Sequence, residues 1–145
     1  MLRRRLMMML GQEEEEMEDW KLLKEVTIET DTNRIDIENL NCSEIFALCS
    51  LKADASSTPT YLLNKAWGTY DPYIQGIATP TTYYKQDMIR AFAKNGYGMM
   101  VSTMSANNFY KHSHDDKFSE IQSFSVVASN NANFVSGSEI AIFGR

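Results

Sequence analysis

At 145 residues with a net charge of −5, the chain has the length of one domain with room for little beside it. A hydrophobic content of 43% with seven Phe and seven Tyr excludes a disordered class. The acidic balance argues against a nucleic-acid binder, which needs a basic stripe.

The charge is unevenly placed. Residues 1–19 hold three arginines, Arg3 to Arg5, against six acids from Glu13 to Asp19, so the remainder is close to neutral. This N-terminal arm surrounds a Met-rich patch, Leu6 to Leu10, with two charge blocks. Its residues favour a helix, yet the basic block comes first and the acidic block last, against the helix dipole. The arm is read as disordered, or as a short helix that packs Leu6, Met9 and Leu10 on a partner chain. Its apolar run of five residues is shorter than the about 7–15 of a secretory signal, so no signal is expected. No window of about 20 apolar residues exists, and no membrane span is expected.

From Trp20 the texture changes, and residues 20–145 are read as the folded domain. In "KLLKEVTIET", Leu22, Val26 and Ile28 share one parity; in "NRIDIEN", Ile35 and Ile37 alternate with charged neighbours. A period of two marks half-buried strands, and the intervening "TDTN" favours a turn, so the two read as a hairpin. "SEIFALCSLKA" is continuously apolar and bounded by turn residues, which suits a strand buried on both faces. The chain's two cysteines, Cys42 just before this stretch and Cys49 within it, would lie roughly 23 Å apart if both were on one strand, too far to bridge. They read as small buried thiols, and a reducing compartment is the simplest fit.

"YLLNKAW", "YIQGIA" and "GYGMMVSTM" follow as short strands bounded by Gly, Pro, Asn or Asp. "YYKQDMIRAFAK" is ambiguous: Tyr84, Met88 and Phe92 suit a helix by spacing and a strand by parity. It is taken as a strand. "FSEIQSFSVVAS" and "SEIAIFG" close the series, the last expected to lie against residues 22–38, with Ile140 and Ile142 facing one side and Ala141 and Phe143 the other. Eight or nine such strands predict an all-β antiparallel sandwich.

Chemistry is sparse. In "YKHSHDDK", His112 and His114 with Asp115 or Asp116 are ligand types for a metal, but a third imidazole is missing and the polar neighbours read as an exposed loop. Nucleophile elbows and phosphate-loop fingerprints are absent from the sequence, so no catalytic residue, metal or cofactor is expected and a hydrolase is the least favoured reading. "WGTYDPYIQG" is aromatic and turn-rich. Trp67, Tyr70 and Tyr73 suit a platform on which a sugar ring stacks; the competing reading has Trp67 filling the core and the tyrosines capping its edge.

The arm "RRRLMMM", the following "DWKLLKEVTIETDTNRIDI" and the closing "GSEIAIFGR" together resemble small virion structural proteins of tailed bacteriophages and prophages of gut bacteria: fibre, baseplate or minor structural proteins. The likeness covers some 40 residues at the two ends. It implies a jelly-roll-like β-sandwich, often trimeric, attached to the particle through its N-terminal part, and it carries over no catalytic residues. On this reading Leu6, Met8, Met9 and Leu10 make subunit or virion contacts. The protein is then made in the bacterial cytoplasm and resides in the virion. Its partners are further copies, other virion proteins and a host cell-surface glycan, with no nucleic acid and no membrane. The alternative is a free-standing carbohydrate-binding module.

Overall fold

The structure, a computed structural model, describes residues 19–69, 71–76, 78–102, 111–112 and 116–145. These form ten strands: β1 Lys21–Thr27, β2 Arg34–Ile37, β3 Glu44–Leu51, β4 Thr60–Leu63, β5 Tyr73–Gln75, β6 Lys85–Lys94, β7 Tyr97–Ser102, β8 Lys111–His112, β9 Phe124–Val127 and β10 Glu139–Gly144. A 3₁₀ turn, Asp116–Phe118, precedes β9. Two antiparallel sheets result: six strands ordered β1-β10-β3-β6-β7-β8, and four ordered β2-β9-β4-β5. The expected antiparallel sandwich is therefore the observed architecture.

Alternation decides which side chains meet between the sheets. The four-stranded sheet contributes Ile35, Ile37, Tyr61, Leu63, Phe124 and Val126; the six-stranded sheet answers with Ile45, Ala47, Ile89, Ala91, Ile140 and Ile142. β3 is buried along both faces, and β10 and β6 pair with its two edges. Its other parity, Phe46 and Leu48, joins Trp20, Met88, Ala141 and Phe143 in a second apolar cluster on the outer side of the six-stranded sheet. β10 divides its side chains between the two clusters as its parity requires. Residues 85–94 are a strand, and Asn95-Gly96, both with positive φ, close the β6–β7 hairpin. Asn-Gly suits such a turn because its mirror-image twist matches the strands it joins.

Two expectations fail here. The first hairpin does not form: β1 pairs with β10 in one sheet, β2 with β9 in the other. The chain between them turns a corner, where Thr32 and Phe134 exchange both backbone hydrogen bonds, at 3.1 and 2.7 Å. Long-range pairing to a fully buried Phe134 prevails over the local turn preference of "TDTN". Nor does Leu22 face inward with Val26. A bulge between Leu22 and Lys24 inserts one residue opposite β10, so Leu23 packs on the core and Leu22 is exposed. A bulge reverses the inside–outside order that strict alternation assigns.

Candidate functional site

β4 is followed by Asn64 and Lys65, both in the left-handed region at φ 52° and 56°. Asn tolerates that region better than most residues because its short amide bonds locally. Here the Asn64 amide also uses its full capacity. Nδ2 donates to the carbonyls of Lys117 (2.6 Å) and Glu120 (2.8 Å), while Oδ1 accepts from the backbone N–H of Gln122 (2.7 Å) and Ser123 (3.0 Å). One side chain thus fixes segment 117–123 against the end of β4.

Beyond it the chain turns again. Gly68 N–H donates to Asp71 Oδ2 at 2.6 Å and Asp71 N–H to the Gly68 carbonyl at 3.1 Å. A Cβ on Gly68 would come within 2.7 Å of that carboxylate, so this close turn selects glycine. Asp71 is buried, and Lys117 Nζ neutralises it at 2.6 Å. Pro72 abuts Gly98 of β7, which ties the loop to the six-stranded sheet. Trp67, on the rising limb of this braced loop, is 57% exposed.

Burying Trp67 would have been worth about 1.5–3 kcal/mol, as for a large apolar side chain generally. The loop instead holds it in solvent, so the reading that Trp67 fills the core is wrong. Tyr73 is half-buried in β5, and Tyr70 lies outside the described residues. An open hollow of about 430 Å³, which Trp67 does not line, is bordered by Glu38, Asn39, Asn64, Lys65, Lys117 and Gln122. Lys65 pairs with Glu38, whose hydrogen bond raises the ammonium's pKa. Of the groups around it, the Asn64 amide is fully engaged, Lys65 and Glu38 pair with each other, and Lys117 pairs with Asp71.

A second polar group lies inside the sandwich. Asp87, buried on β6, accepts hydrogen bonds from Tyr61 Oη (2.9 Å), Ser102 Oγ (3.1 Å) and the Met88 N–H (3.1 Å). Burial raises the Tyr61 phenol and the Cys49 thiol, and the Asp87 charge pushes both further up. Lys85 shifts down through burial; its Nζ has no hydrogen-bond partner among the described residues. The gap among Leu51, Pro59, Tyr61, Thr79, Lys85 and Asp87 is about 10 Å³. Gly76 closes it, since a Cβ there would stand 2.9 Å from both Asp87 Oδ2 and Tyr61 Cε2. Such a gap accommodates no substrate.

The remaining sequence candidates are dispersed. Lys111 and His112 form β8 against Met99 and Gly98, so His112 sits on a strand and not in the expected loop. Asp116 opens the 3₁₀ turn, while His114 and Asp115 lie outside the described residues. Among the described residues no three His, Cys, Asp or Glu side chains converge on a metal position. Cys49 is buried as expected, whereas Cys42 is half-exposed; burial still pushes its thiol up to about 11. Leu6, Met8, Met9 and Leu10 lie outside the described residues. Asn64 was missed from sequence: its signal is an Asn directly after an apolar strand. The sequence matches no known protein-family model and no curated protein.

Proposed function

We propose that this chain is a non-enzymatic structural component of a phage or prophage virion, a fibre, baseplate or decoration protein, whose loop end around Trp67 binds a saccharide. The saccharide reading rests on one observation: an indole held 57% exposed on a braced loop. Sugars present apolar C–H faces ringed by hydroxyls. A fixed aromatic surface takes the former, and Asn39 and Gln122, which border the hollow, are polar partners for the latter.

The virion reading draws on the likeness of the two ends, "RRRLMMM" and "GSEIAIFGR", to tailed-phage structural proteins. Connectivity supports it too. Leaving aside β7 and β8, the strands lie side by side in the orders β1-β10-β3-β6 and β2-β9-β4-β5, as in an eight-stranded jelly roll. Attachment through the N-terminal segment and a trimeric state belong to the same proposal, with Leu6, Met8, Met9 and Leu10 as assembly contacts.

A free-standing carbohydrate-binding module is the second reading, favoured by the same exposed Trp67. Two measurements separate them. Mass spectrometry of purified particles detects the chain if it is a virion component. Glycan-array binding that Trp67→Ala abolishes supports the saccharide site in either case; array binding equal to wild type removes it.

A further inference from the structure

The outer side of the six-stranded sheet carries apolar side chains over β3 and β10 and again over β6 and β7, but the two areas differ in exposure. Over β3 and β10, Phe46, Leu48, Ala141 and Phe143 are buried. Over β6 and β7, none of Phe92, Tyr97, Met99 and Val101 is fully buried, and Met99 is 37% exposed. Parity sets this arrangement. Ile89, Ala91 and Ala93 point into the sandwich, so Arg90, Phe92 and Lys94 point out. Pairing places Val101, Met99 and Tyr97 beside them in that order.

Two open hollows adjoin on this side. One, of about 340 Å³, is bordered by Phe92, Lys94, Asn95, Tyr97 and Met99. The other, of about 220 Å³, shares Phe92 and Met99 and continues to Arg90 and Val101. Together they follow β6 for about 13 Å, four residues at ~3.3 Å each. The two ends differ in charge. Arg90 is neutralised by Glu44 at 2.6 Å. Lys94, at the hairpin end, makes no ion pair among the described residues. The turn beside it is fixed: Asn95 and Gly96 hold positive φ, and the Gly96 N–H donates to the Phe118 carbonyl at 3.3 Å.

We propose that this trough binds a medium-chain aliphatic carboxylate, a fatty acid, with its tail along Phe92, Met99 and Val101 and its carboxylate at the Lys94 ammonium. Charge sets the direction, because the far end is already paired and the Lys94 end offers an uncompensated cation. The Asn95 amide borders the same end and can donate a second hydrogen bond. Size favours a small ligand: the larger hollow falls in the range of about 300–1,000 Å³ of small-molecule sites. Four side chains cover far less than the ~800 Å² per partner of a standard protein interface. The unbranched Met99 adapts its shape to a flexible tail. Trp67 borders neither hollow, so the inference holds whatever the loop end binds.

The test is an isotope-edited titration of the full-length protein with octanoate below its micellar concentration, and with octanol as the uncharged counterpart. Octanoate should shift the amides of Phe92, Lys94, Met99 and Val101 saturably, while those of Ile35 and Val126 on the other sheet stay in place. Lys94→Gln should weaken octanoate about 3- to 10-fold, as for a partly exposed charge-assisted contact, and leave octanol unchanged. Met99→Gln should weaken both, and Trp67→Ala neither. Absence of saturable shifts, or equal losses of octanoate and octanol in Lys94→Gln, would overturn the proposal. Shifts abolished by Trp67→Ala would place the ligand at the loop end and overturn it too. Phe92 and Met99 signals that move with protein concentration, without octanoate, would assign the face to a second copy and overturn it.

Discussion

Tyr61 of the four-stranded sheet donates its hydroxyl to Asp87 of the six-stranded sheet at 2.9 Å, so the two layers are joined by a buried hydrogen bond as well as by apolar packing. The carboxylate also takes a bond from Ser102 on β7. A buried charge is tolerated only where donors surround it, and each donor is then hard to remove.

Tyr61→Phe should accordingly destabilise the fold by about 1–3 kcal/mol, the cost of leaving a buried acceptor short of a partner. The ring and its stacking on Phe124, at 5.9 Å between centroids, remain in place. Urea unfolding followed by intrinsic fluorescence measures the change. A midpoint equal to wild type would show that the carboxylate finds another donor.

Asn64 makes a stronger prediction about the candidate site. Asn64→Ala removes two donated and two accepted bonds and places alanine at positive φ, so a loss of about 2–4 kcal/mol is expected. Asn64→Gly relieves the backbone strain but not the lost bonds. If Gly restores wild-type stability, the amide contributes nothing and the loop is braced by other contacts.

Gly98 tests the packing between the loop and the sheet. A Cβ at this position would meet Phe118 at 2.8 Å and Pro72 at 3.0 Å. Gly98→Ala should cost about 1–3 kcal/mol as an overpacked site. Because Pro72 follows Asp71 in the Trp67 loop, the variant should also weaken ligand binding at that end. Thermal melting together with a binding isotherm separates the two effects.

Acid should loosen the closing strand. Burial pushes the Glu44 carboxyl up, but hydrogen bonds from Arg90 (2.6 Å) and Arg145 (3.0 Å) outweigh it and hold the carboxyl below its ordinary value of 4.5. A depressed folded-state pKa means the unfolded chain binds the proton first. The stabilisation is therefore complete above pH 4.5 and is lost as pH falls through the lower folded value. Glu44→Gln should flatten the acid limb of the stability–pH curve; an unchanged acid limb would contradict this assignment.

Much of the architecture was legible because alternation is a local signal with a global meaning. Ile35 and Ile37, the two-sided run Ile45 to Leu51, and the division of β10 between two faces all follow from period two. What failed depended on partners distant in sequence. Nothing near "TDTN" announces that Thr32 will pair with Phe134, and nothing in "KLLK" announces a bulge against β10. The site was legible only in part. An aromatic, turn-rich stretch pointed to Trp67, but the chain around it is braced by Asn64, Asp71 and Lys117, which meet only after the sheets have closed.

The loop end around Trp67 is proposed as a saccharide-binding surface. Its most direct test is an isotope-edited titration of the full-length protein with oligosaccharides of bacterial surface polymers, following the Trp67 indole N–H and the amides of Asn39, Lys65 and Gln122. Saturable shifts confined to this group and abolished by Trp67→Ala are expected. Saturable shifts elsewhere with an unmoved Trp67 indole, or no shifts at any saccharide tested, would contradict it.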